Sequence, residues 1–323
     1  MASKTQVWLF LLLCAALPVF SQRSTFKVVG YYSLKAALTV DIATFPFERL
    51  THVNLYFLNP DSSGKFRIDL SGLATFVKAA HKKKVKVLPS IAGGGRHDYY
   101  HELLKPGKRQ KLIDDLVNIV IKYDLDGIDV DLEGPDIDEN YQDFVIELKT
   151  ALTNKNKLTT AAIAVFYKDQ LTDSALAAFD FMNLMSYDHT GPWNPSKPGP
   201  HSTYQHAFED LDYFTRERNI PAEKIVLGVG FYGYGFGPEL NTPPTSLNYK
   251  DIVATFPGAD TTDQVLMPGG ATMYYNGSET IRRKTLLAKE KASGIMIWQL
   301  TGDASGSKSL LSVINQAARS GKP

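Results

Sequence analysis

The chain has 323 residues, 44% of them apolar, and 35 Lys plus Arg stand against 34 Asp plus Glu for a formal net charge of +1. Such a balance excludes nucleic acid and anionic membrane as partners held by bulk charge. Cys14 is the only cysteine, which excludes a disulfide framework and a thiolate metal site.

Residues 1–22 read as an export signal. Lys4 supplies positive charge, residues 7–17 form an almost unbroken apolar run, and Val19-Phe20-Ser21 offers a small-residue cleavage site before Gln22. The run is too short to span a bilayer. Leu13 ahead of Cys14 is not the small residue that a lipoprotein signal needs, so no membrane anchor is expected. Residues 23–323 then form one domain of a secreted protein, extracellular or, in a Gram-negative host, periplasmic, and expected to be a monomer.

Short apolar, β-branched runs follow at 27–32, 50–58, 85–91, 125–132, 158–165, 179–187, 225–232 and 294–300. Between them lie stretches of helical spacing. Leu73, Phe76, Val77 and Ala80 mark one face, Leu112, Leu116, Ile119 and Val120 a second, and Phe144, Val145, Leu148 and Leu152 a third. Eight strand–helix repeats predict an α/β fold, a closed (β/α)8 TIM barrel, with an open doubly wound sheet as the alternative. Two stretches rich in Pro and Gly read as long loops, 189–201 and 235–270, the latter with Pro238, Pro243, Pro244, Pro257 and Pro268. Both follow strands and so belong to the C-terminal face, where this fold builds its sites.

The informative strand is Asp126-Gly127-Ile128-Asp129-Val130-Asp131-Leu132-Glu133. Strand side chains alternate faces, so Asp129, Asp131 and Glu133 point one way and Ile128, Val130 and Leu132 the other. Barrel interiors are normally apolar. Three inward carboxylates are costly unless they share protons or accept hydrogen bonds. Folding does not need them, which points to chemistry. An acidic, solvent-facing strand that holds a hard cation is the alternative these residues leave open.

The segment resembles the signature of family 18 glycoside hydrolases, the chitinases and their relatives, at all four acidic positions. Met185-Ser186-Tyr187-Asp188 is similar to that family's M-x-Y-D motif at the end of the sixth strand, and Gly294-Ile295-Met296-Ile297-Trp298 to its eighth strand. Residues 227–233 look like the seventh strand, with Gly230 where proline is common. Ser90-Ile91-Ala92-Gly93-Gly94 resembles the S-x-G-G motif of the third strand with one extra residue.

The resemblance implies a substrate-assisted retaining mechanism, which differs from the usual two-carboxylate scheme. Glu133 is then the general acid/base, and the substrate's own 2-acetamido group is the nucleophile. Asp131 orients the acetamide, Asp129 shares a proton with Asp131, and Tyr187 donates to the acetamide carbonyl. Trp298 stacks under the sugar. Asp188, Met185, Tyr31, Phe57 and Tyr232 line the cleft, and Asp126, Ser90, Gly93 and Gly94 give structural support. No metal or cofactor is required. The implied partner is chitin or another oligosaccharide of N-acetylglucosamine. The segment 234–293 is too short for the large α+β insertion of many chitinases, which predicts a shallow, open cleft. An endo-β-N-acetylglucosaminidase acting on N-glycan cores and a non-catalytic chitin-binding lectin are the alternatives. Asn276-Gly277-Ser278 is a sequon for N-glycosylation.

Overall fold

The computed structural model describes residues 26–237 and 245–320. The expected export signal, Cys14, Pro238, Pro243 and Pro244 lie outside the described residues. Eight parallel strands close a barrel. They are β1 (Lys27–Ser33), β2 (His52–Tyr56), β3 (Lys86–Ala92), β4 (Gly127–Asp131), β5 (Leu158–Ile163), β6 (Phe181–Leu184), β7 (Ile225–Gly230) and, last in the chain, Gly294–Trp298. That final strand pairs with both β7 and β1, so no edge remains open. The expected (β/α)8 barrel is therefore present, on the eight stretches where apolar runs predict strands.

Alternation divides the core in two. Residues such as Val53, Leu55, Val87, Ile91, Ile128 and Val130 face outward and pack on the helices. The helices Leu73–Lys82, Arg109–Lys122 and Tyr141–Thr153 bury Leu73, Phe76, Val77 and Ala80, then Leu112, Ile113, Leu116 and Val120, then Tyr141, Phe144, Val145, Leu148 and Leu152. A separate, smaller cluster fills the barrel and its mouth, with Val29, Tyr31, Phe181, Tyr187, Val226, Tyr232 and Met296. Polar side chains interrupt that interior: Asn54 on β2, Ser90 on β3, Asp129 and Asp131 on β4, Thr160 on β5 and Asn183 on β6, all buried. Register sets Ser90 and Thr160 opposite Asp129 from either side.

The described part of the stretch expected as a loop over 235–270 holds regular structure instead. Four short strands, β8 (Tyr232–Phe236), β9 (Thr245–Asn248), β10 (Gln264–Leu266) and β11 (Thr272–Tyr274), form an antiparallel sheet in the order β10-β11-β8-β9. A helix, Tyr249–Thr255, sits between β9 and β10. Strands of three to five residues carry too little alternation to register beside the prolines. With β12 (Gly294–Trp298) the barrel is complete. Among the described residues no helix is long and apolar enough to cross a membrane.

Candidate active site

Asp129 is fully buried (0% exposed) and saturated with donors. Its Oδ2 accepts from Tyr31 Oη at 2.6 Å and Ser90 Oγ at 2.8 Å. Its Oδ1 accepts from Thr160 Oγ1 at 2.5 Å and Asn183 Nδ2 at 3.2 Å. Burial pushes this carboxyl up, and the hydrogen bonds pull against it.

Asp131, one step nearer the mouth and 3% exposed, has the opposite surroundings. Its Oδ1 has no hydrogen-bond partner among the described residues. Burial, then Glu133, then Asp129 push it well above the usual carboxylate range. No hydrogen bond joins the two aspartates. Four donors favour the ionised form of Asp129, whereas Asp131 has an Oδ1 unpartnered among the described residues and faces the charges of Glu133 and Asp129.

Glu133 follows β4 in extended backbone and precedes a short turn of helix, Gly134–Asp136. Burial, then Asp188, then Asp136 raise its pKa to about 7. It is half-buried, at the cleft. The three carboxylates thus run from a donor-saturated one deep in the barrel to a half-buried one at its mouth.

The turn after β3 makes room for them. Ala92, Gly93, Gly94 and Gly95 all have positive φ. A Cβ on Gly93 would meet the Phe57 ring and lie 2.6 Å from Asp131 Oδ2, so only glycine fits. Asn59 braces the turn, accepting from Ala92 N at 2.6 Å and donating to Ala92 O at 3.0 Å.

After β6, Tyr187 is buried, and its hydroxyl's one recorded contact is the Met296 sulfur at 3.9 Å. Burial, then Asp131, Asp188 and Glu133 push the phenol well above its ordinary value, so it keeps its proton and remains a donor. Asp188 adopts φ 63° and accepts from Tyr232 Oη at 2.5 Å. Met185 is half-buried and packs against both core clusters. Trp298, half-buried at the end of β12, packs on Tyr31 at 5.5 Å, Tyr56 at 4.9 Å and Phe57 at 5.9 Å between ring centroids.

Two expected roles are corrected. Tyr31 does not line the cleft; it is buried beneath it as a donor to Asp129. Asp126 does not support the other carboxylates. It sits at the opposite end of β4, where it accepts from Val87 N at 2.7 Å and pairs with His81 at 2.9 Å. Ser90 is clarified as well: despite the extra residue in its motif, it bonds Asp129 directly.

The sequence reading missed several neighbours. Thr160 and Asn183 donate to Asp129, and each is a polar residue at an inward position of an otherwise apolar strand, a signal that was present. Asp136 raises Glu133 from three residues further along the chain, in the short helical turn Gly134–Asp136. Tyr141 and Tyr167 carry buried hydroxyls without partners among the described residues. Trp193, 61% exposed, packs edge-on against Tyr234 at 5.7 Å. Among the described residues, the ligand-type side chains that converge closely are His101, Asp138 and Glu139, outside this cluster.

The fold and site together define a closed parallel barrel with a ladder of buried carboxylates at the mouth of its fourth strand. The family model for glycosyl hydrolases family 18 matches residues 27–303, and the chain belongs to that family. It is similar to the solved chitinase ChiB from the chitin utilization locus of Flavobacterium johnsoniae, with 35% identity, 91% of this chain and 94% of that one covered, and a TM-score of 0.81. A chitinase from Bacteroides thetaiotaomicron is similar at 28% identity, with 92% and 97% covered and a TM-score of 0.77. Among curated relatives, a chitinase-like effector of Moniliophthora roreri is 30% identical over 64% of this chain and 58% of its own. An endochitinase of Manduca sexta is 25% identical over 65% of this chain and 45% of its own. The chain thus spans under two thirds of these curated relatives' length.

Proposed function

We propose that the protein is a secreted chitinase that cleaves β-1,4-linked N-acetylglucosamine chains with retention, through an oxazolinium intermediate formed by the substrate. The observation that carries this reading is Glu133, an acid raised to about 7 beside an aspartate with an unused oxygen. An acid poised near neutrality transfers a proton most effectively in neutral solution.

Glu133 protonates the glycosidic oxygen. The acetamido carbonyl oxygen attacks the anomeric carbon, the glycosidic bond breaks, and the leaving sugar takes the proton. Asp131, whose Oδ1 is uncommitted, accepts the acetamide N–H and offsets the positive charge of the oxazolinium. The Tyr187 phenol donates to the acetamide oxygen. Glu133, now ionised, takes a proton from water as that water opens the ring at the same carbon, which gives net retention. A nucleophile carried by the substrate is already positioned, an advantage of several kcal/mol and ~7–11 kcal/mol at its ceiling. Trp298 forms the floor, and Asp188 and Tyr232 form the wall beside it.

The relatives named chitinases support the substrate class. A second reading is a chitin-binding protein without hydrolysis, since one relative is named only chitinase-like. The complete acid ladder in this chain favours the enzyme. Mass-spectrometric product analysis tests the proposal on chitohexaose and on a high-mannose glycoprotein. Dimers and trimers from the first, with the second intact, are expected. Release of whole glycans would move the assignment to an N-glycan endoglycosidase, and binding without cleavage to a lectin.

A further inference from the structure

Lys284, in the helix Ser278–Lys291, is fully buried (0% exposed) at a site the chemistry above does not use. Its Nζ donates to Ser202 O at 2.8 Å, Ser202 Oγ at 2.7 Å and Asn276 Oδ1 at 2.9 Å. All three N–H bonds are directed at neutral acceptors, with no carboxylate in contact. Burial pulls the ammonium down to about 7, against the raising influence of Asp263 and Asp210. An apolar side chain would avoid that desolvation cost, whereas the amine supplies three directed hydrogen bonds.

Its target is the base of the segment that carries Tyr187 and Asp188. Ser202 Oγ donates to Ser186 O at 2.7 Å. Asn276 Nδ2 donates to Ser202 O at 2.7 Å and Tyr275 O at 3.1 Å. Ser202 is thereby held by Lys284, Asn276 and Ser186 together. Its neighbour His201 is buried, accepts from His189 N at 3.0 Å and faces Asp188 N at 3.4 Å. The loop 188–201 leaves and returns beside this clasp, and Asp210 of the helix Tyr204–Asp212 holds the same segment from another side, accepting from Ser186 Oγ at 2.6 Å and contacting His189 Nε2 at 3.0 Å.

We propose that Lys284, with Asn276 and Ser202, is a positioning group that clips the Tyr187–Asp188 segment to the helix Ser278–Lys291. This rests on the reading of Tyr187 and Asp188 as substrate-facing. The same geometry gives the sequon a structural role. Asn276 Nδ2 is the atom an N-glycan would occupy, yet it is buried (4% exposed) and spends two hydrogen bonds inside the fold. Folded, active protein secreted by a glycosylating host carries no glycan at Asn276.

The test compares Lys284→Met and Ser202→Ala with the parent by steady-state kinetics on chitohexaose, by hydrogen exchange over residues 186–203, and by glycopeptide mapping. Lys284→Met is expected to lower kcat by about tenfold or more, with KM changed by less than about threefold, and to speed exchange in 186–203 while the barrel strands stay protected. A folded Lys284→Met variant with parental kcat and parental exchange overturns the proposal. Should that variant fail to fold, Ser202→Ala decides: a loss of about threefold in kcat with faster exchange in 186–203 supports the clasp, and parental values overturn it. Should the parent itself leave chitohexaose uncut, the proposed function fails, and the exchange comparison alone decides the clasp. A glycan found on Asn276 of active protein overturns the arrangement.

Discussion

Glu133 is held high by burial first and by Asp188 and Asp136 after that. In the proposed mechanism its protonated form is the working acid, so kcat/KM is expected to fall as pH rises through about 7. Asp188→Asn removes the larger of the two neighbouring charges, so the alkaline limb of the pH profile moves to lower pH. A limb that stays or moves upward contradicts the assigned cause. The same raised value has a sign for stability. Glu133 stabilises the fold below its free value of 4.5, and that contribution is lost as pH rises through about 7. Glu133→Gln is therefore expected to be more stable than the parent at pH 8, by about 1–3 kcal/mol, in denaturant unfolding. A variant less stable at that pH would show that the site does not oppose the charge.

Around the glycine turn after β3, the constraint is on shape. Gly93 combines φ 63° with a Cβ position blocked by Phe57 and Asp131, whereas Gly134 has φ 49° with open space around it. Gly93→Ala is expected to cost at least ~1 kcal/mol more than Gly134→Ala in thermal or denaturant unfolding, because only the first adds a clash to the left-handed strain. Equal costs would contradict the packing. Elements of this kind were legible to different degrees. The barrel strands and the inward carboxylates follow from period-two alternation, which burial of one face enforces. The small sheet of β8 to β11 was not legible, because its strands are three to five residues long and the pairing of β8 with β11 that joins its two halves is between segments distant in sequence. Alternation places Tyr31 on the inner face of β1 but does not say how deep in the barrel its side chain sits, and depth makes it a donor to Asp129. The clasp at Lys284 was invisible, since a lysine in a helix reads as surface until its three acceptors are assembled from other segments.

At the scale of the molecule, the barrel puts buried acids at one end of its axis, and the loops around that mouth carry exposed aromatics. Trp193 is 61% exposed and Phe166 55% exposed, both in segments that follow barrel strands. If Trp193 serves as a platform beyond the cleavage site, Trp193→Ala raises KM for chitohexaose more than for chitotriose, as steady-state kinetics would show. An equal effect on both would remove that role. The central claim, that this barrel is a hydrolase driven by one acid at its mouth, is tested most directly by one measurement on Glu133→Gln: kcat on chitohexaose alongside the Kd for the same oligosaccharide. The account predicts turnover reduced by about 10²–10⁴ with Kd nearly unchanged, since an amide keeps the shape and loses the proton. Turnover close to that of the parent would contradict it.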